Sequence, residues 1–210
     1  MRLLEKVLAV GILTALILKF NMFLRGDIFL LWSILLVTIL YYPLGFLFLN
    51  QVRLRDVFKK AAYKDTNMFK IVIAFLAGLG LSIICVGSLF KLLHFRGANE
   101  MLIVGLCTIL AIAVVILVFI MRKDKVYSKY ILVRAWMIGG IGVVLLLFAE
   151  LDLVKIQYRN HPAYIKAYAE YLRHPESEDA LREKNEEYYK IILPEDEYQR
   201  YEEHSKTLRE

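Results

Sequence analysis

The stretch LFKLLHFRGANEML, Leu89–Leu102, sets Lys91, His94 and Arg96 between two long apolar runs. The run before it spans about Phe69–Leu93 and the run after it about Met101–Met121. Each has at least the roughly 20 apolar residues that a helix needs to cross a hydrocarbon core. A short polar break between two such runs reads as the turn of a transmembrane hairpin, and this reading sets the fold class of the whole chain.

Working outward, three more apolar runs qualify: about Val7–Phe23, Ile28–Leu49, with Pro43 as a kink near its end, and Tyr130–Phe148. The chain has 210 residues, 59% of them hydrophobic, and a mean hydropathy of +0.51. A soluble domain of that size needs a more charged surface. The first run lacks a small-residue cleavage site, so it is expected to be a retained span. The expected architecture is all-α: a five-helix polytopic membrane bundle over residues 1–150, followed by a small soluble helical tail over 151–210.

Charge supplies the orientation. Residues 1–150 carry 17 Lys+Arg against 7 Asp+Glu, whereas residues 151–210 carry 10 against 14. The basic residues gather in two linkers: Arg53, Arg55, Lys59, Lys60, Lys64 and Lys70, then Arg122, Lys123, Lys125 and Lys129. The positive-inside rule places both linkers in the cytoplasm. The N-terminus is then cytoplasmic and the acidic tail periplasmic, in a bacterial inner membrane. Within the first linker, VRLRDVFKKAAYKD (from Val52) reads either as a short amphipathic helix on the membrane surface or as an ordinary basic loop. Nucleic-acid binding is not expected, because the basic residues sit in short loops with no groove-forming domain to present them.

The hairpin is written twice. LKFNMFLRGDIFLL, from Leu18, parallels FKLLHFRGANEMLI, from Phe90, and LLVTIL, from Leu35, parallels GLCTIL, from Gly105. Both copies run the same way, as parallel repeats do in other membrane bundles. Gly80, Ile84, Gly87, Lys91 and His94 share one face of the third span. Small residues on such a face allow close helix packing. Gly139, Gly140 and Gly142 of the fifth span and Gly11, Ala15 and Lys19 of the first are expected to meet that face.

The residues VGSLFKLLHFRGANEMLIVGL, from Val86, resemble the transmembrane hairpin of the GldL family, the inner-membrane stator of the gliding motor and type IX secretion system. Gly87, Phe90, Lys91, His94, Gly97, Met101, Leu102, Gly105 and Thr108 carry the resemblance. It covers one hairpin, with a weaker echo in the first, and the tail does not match the family's long cytoplasmic coil. The resemblance implies an intramembrane glutamate as proton carrier directly after the threonine. Here that position is Ile109, and Ile39 in the first hairpin. Lys91 then reads as an anchor snorkelling to the headgroups, as a structural polar group inside the bundle, or as part of an ion path.

The tail shifts abruptly in composition. HPAYIKAYAEYLRH, from His161, and PESEDALREKNEEYYKIIL, from Pro175, read as helices, and a third is expected from Pro194. Tyr164, Tyr168 and Tyr171 form a stripe that reads as the tail's core or as a partner surface. His161 and His174 are too far apart for a metal site on one helical turn. Cys85 and Cys107 both fall inside apolar runs, where thiols act as small hydrophobes. The sequence holds no G-x-S-x-G, no phosphate-binding glycine loop and no H-E-x-x-H, so it offers no catalytic, cofactor or metal residue. The expected role is a non-catalytic membrane scaffold or accessory protein, which associates through glycine faces and its tail. A small transporter or channel built on the duplicated hairpins is the alternative.

Overall fold

The computed structural model describes residues 2–20, 26–42, 45, 49, 56, 59, 67–120 and 125–207. Pro43 and most of the first basic linker, including all of its amphipathic stretch except Asp56 and Lys59, lie outside the described residues. Among the described residues the fold is helical throughout, with no strand. Contacts divide the chain into two compact units, Met1–Phe148 and Ala149–Glu210.

The first unit contains α1 (Arg2–Phe20), α2 (Gly26–Tyr41), α3 (Met68–Leu92), α4 (Ala98–Val115) and α5 (Lys125–Leu147). A π-helical turn, Ile116–Ile120, extends α4. Three segments are long and apolar enough to cross a membrane: Met68–Leu92, Ala98–Val118 and Tyr127–Leu147. The other two expected spans are weaker by that measure. Helix α2 is apolar but only 16 residues long, and α1 carries Arg2, Glu5, Lys6 and Lys19.

Helix α3 is the centre of this unit, packing against α2, α4 and α5. Its sequence permits that because Gly78 and Gly80 open it on two sides. A Cβ on Gly78 would stand 2.6 Å from the Tyr41 carbonyl oxygen and 3.0 Å from Gly45 Cα, so α3 and the α2 segment meet backbone to backbone. Toward the basic linkers, Leu49, Ile73, Ala77, Ile112, Ile116 and Ile131 form an apolar cluster with Tyr127. The Tyr127 hydroxyl closes this cluster by donating to the Lys70 carbonyl at 2.7 Å.

The second unit contains α6 (Glu150–Gln157), α7 (Pro162–Arg173), α8 (Glu178–Ile192) and α9 (Glu195–Thr207). Pro162 occupies the first turn of α7, as expected. Helix α8 opens on Ser177, whose hydroxyl accepts from the Ala180 amide at 3.3 Å, rather than on Pro175. Tyr164 and Tyr168 are core residues, buried with Val154 and Tyr158. Tyr171 lies at the edge, where Lys184 sits 4.5 Å over its ring.

Burial, together with the Tyr168 hydroxyl's hydrogen bond to the Glu150 carboxylate, raises the Tyr168 pKa above the ordinary tyrosine value. The folded tail therefore holds this proton more tightly than the unfolded tail. The resulting stability is fully present below about pH 10, where a free tyrosine ionises, and is lost as pH rises beyond it. Tyrosinate absorbance should develop in two steps, the second accompanying loss of tail helicity. A single step with helicity intact would contradict the buried placement.

Candidate functional site

The candidate site is the α3–α4 hairpin, which holds every residue of the sequence motif. Its turn is built from named hydrogen bonds. Leu93 caps α3, and His94 follows in the left-handed region at φ 58°. The Phe95 amide donates back to the Phe90 carbonyl at 2.8 Å and the His94 amide to the Lys91 carbonyl at 3.4 Å. Phe90 and Phe95 pack edge to face, 5.4 Å between centroids. This is a Schellman C-cap with its apolar clasp, and His94 occupies the position glycine usually takes. Gly97, at φ 82°, then starts α4.

His94 is therefore explained by the turn: its backbone conformation is the demanding feature. His94→Gly should stabilise the hairpin by about 1 kcal/mol, because the left-handed region costs an L-residue roughly that much. Denaturant-dependent helicity of the purified variant would check this. A destabilised variant would mean that the imidazole itself holds the hairpin.

Below the turn the two helices meet through glycine. A Cβ on Gly87 would lie 3.0 Å from the Leu102 amide nitrogen. One on Gly105 would lie 2.7 Å from Ile84 Cγ1 and 3.2 Å from the Gly80 carbonyl oxygen, and one on Gly80 would meet both Ile109 and Thr108 within 3.1 Å. Gly142 of α5 joins from the third side against Ile84, and Gly139 faces Leu106 at 3.8 Å. Thr108 Oγ1 donates to the carbonyl of Val104 on its own helix at 2.8 Å. The motif residues Gly87, Leu102, Gly105 and Thr108 thus come together with the packing glycines Gly80 and Gly142, whereas Met101 and Gly97 lie toward the turn.

Ile109 is buried in this seam, against Gly80. Ile39, the residue paired with it by sequence, is instead 58% exposed on the outer face of α2.

Lys91 does not snorkel outward. It is only 3% exposed, and its Nζ donates to Asn99 Oδ1 at 2.7 Å. The headgroup-anchor reading gives way to a polar contact inside the hairpin, because Asn99 in the first turn of α4 offers an acceptor to the buried Lys91. Lys19, equally buried, forms the same bridge in the first hairpin, to Asp27. Sequence reasoning missed both acceptors, although each stands eight residues after its lysine. It also missed Arg134, which lies within the Tyr127–Leu147 span, bonds to the Tyr130 carbonyl at 3.1 Å and rests 5.8 Å over the Tyr130 ring. Its signal was a lone cation inside an apolar run. Among the described residues, no three His, Cys, Asp or Glu side chains gather as a metal would require.

The family model of the GldL N-terminal domain matches residues 76–130, that is 55 of the 210 residues. No curated protein and no solved structure matches the chain. The match opens within α3, runs through the Lys91–Asn99 bridge and the glycine seam, and ends in the first turns of α5. The α3–α4 hairpin of this membrane protein is GldL-like.

Proposed function

We propose that this chain is a non-catalytic inner-membrane scaffold or accessory protein of a gliding or type IX secretion assembly, rather than its proton-driven stator. The observation that carries the reading is Ile109. Where the resemblance calls for a glutamate, an apolar side chain fills the seam against Gly80. Neither Asp nor Glu occurs within Phe69–Leu93, Met101–Met121 or Tyr130–Phe148. A proton-driven machine needs a titrating group at such a depth.

The scaffold spans the membrane five times within residues 1–150, with a cytoplasmic N-terminus and the tail of residues 151–210 in the periplasm. Gly80, Gly139 and Gly142 join its helices, and the tail meets an envelope partner. The first hairpin is a second copy of the GldL-like one. Lys19 and Lys91 are 72 residues apart, and at that offset five further pairs are buried in both hairpins: Ala15 with Gly87, Gly26 with Ala98, Leu30 with Leu102, Val37 with Ile109, and Leu40 with Ile112. In this register the counterpart of Ile109 is Val37, not Ile39. The threonine match that suggested Ile39 is displaced by two residues.

Proteoliposomes containing the chain should show no proton flux above empty vesicles. A robust flux abolished by Lys91→Ala would overturn the reading and restore an ion path. A pull-down from gently solubilised native membranes, with a tail-deleted variant alongside, tests the accessory role. Secretion or gliding components should be recovered, and lost with the tail. Recovery of self-oligomers alone would count against it.

A further inference from the structure

We propose that the exposed face of α1 formed by Val10, Leu13 and Ile17 is a docking site for the second helix of a GldL-type hairpin carried by another polypeptide, and that α5 closes the opposite edge of the bundle. The inference rests on the duplication argued above and extends it to what the two hairpins leave uncovered.

The contact between the two copies is head to tail: α2, the second helix of the first hairpin, packs on α3, the first helix of the second. On α3 this face is fixed by Gly78, which meets Tyr41 and Gly45. Ser82, Cys85 and Leu89 continue it at steps of four, three and four, and are 3%, 8% and 4% exposed. With the offset of 72 residues their counterparts on α1 are Val10, Leu13 and Ile17, which are 62%, 60% and 63% exposed. The same surface is buried in one copy and exposed in the other. What covers it, where it is covered, is the second helix of a hairpin of this type.

The occupant must come from a different protein. A second copy of this chain has no such helix to offer, because its α2 is taken by α3. On α4, Leu106, the counterpart of Ile34, faces Gly139 and Gly142 of α5. Head-to-tail contacts extend an array until something blocks an edge. Here α5 blocks one edge and α1 leaves the other open, so the chain would end a row of hairpins. The fit is closest at the turn end of α1. At its start, Lys6 replaces Gly78, and the bulkier side chain keeps the incoming backbone further away.

The test places a photoreactive phenylalanine analogue at Leu13, at Ile39, or at Tyr41 of the full chain. Each variant is co-expressed with a full-length protein that carries a GldL N-terminal domain. Leu13 should crosslink to the second helix of that hairpin, and Ile39, as exposed but outside the face, should not. Crosslinks from Leu13 to the partner's first helix, to another copy of this chain, or to lipid alone would overturn the proposal. The Tyr41 variant separates the two layers of the argument. It should crosslink internally to α3, and failure there would sink the duplicated packing itself. An internal Tyr41 crosslink with a silent Leu13 would sink only the docking site.

Discussion

Gly105→Leu is expected to break the bundle, with a loss of about 3 kcal/mol or more, the upper end of what overpacking costs. The reason is geometric. A first side-chain carbon there would already lie 2.7 Å from Ile84 Cγ1 and 3.0 Å from the Ile84 amide nitrogen. Ile84 is fully buried and also packs close to the backbone of Gly142, which leaves it little room to yield. Gly78→Leu should fail similarly, because its neighbours are backbone atoms that no rotamer change can move. Gly140→Leu is the control: nothing lies within 4 Å of its added Cβ, and the expected change is within about 0.5 kcal/mol. Denaturant titration in bicelles, read by helicity, would rank the three variants. Equal tolerance at Gly105 and Gly140 would mean that α3 and α4 do not pack as described.

Asp27→Leu should cost about 3–5 kcal/mol, the penalty for leaving a buried charge without its counter-ion. Lys19 is only 3% exposed and pairs with Asp27 across the first turn. Asn99→Leu should cost less, about 2 kcal/mol, because it removes one neutral acceptor from Lys91 rather than a charge. The double change Lys19→Met with Asp27→Leu should recover most of the loss, since both groups leave together. Unfolding midpoints of the single and double variants would check this as a double-mutant cycle. If the single Asp27 variant were as stable as the double, the buried lysine would not depend on this partner.

Much of the site was legible because membranes impose strong patterns. Lys91, His94 and the Gly97 turn stand out where polar residues interrupt apolar runs, and a glycine every few residues along α3 marks a close helix contact. The duplication we propose for the hairpin rested on letter matches that do not agree on one register. Letter matches gave Arg25 with Arg96 and Thr38 with Thr108, at offsets that differ from the lysine spacing. The two threonines carry no register, because each bonds to a carbonyl of its own helix. The tail's Tyr stripe left core and interface open, since tyrosine serves both. Its packing with Val154 and Tyr158 requires α6, a short helix that no periodic signal announced.

The apolar runs and their basic linkers made this a helical membrane protein before any coordinate was known, because the bilayer admits few other ways to satisfy a buried backbone. The G-S-L-F-K-L-L-H turn, Gly87–His94, likewise carried its family resemblance in the letters. Only the folded bundle decided where the charges went. Lys91 is buried against the Asn99 acceptor, and that contact depends on how α4 enters beside α3. That entry is set by Gly87, Gly105 and the left-handed backbone at His94 and Gly97, acting across helices rather than along the chain.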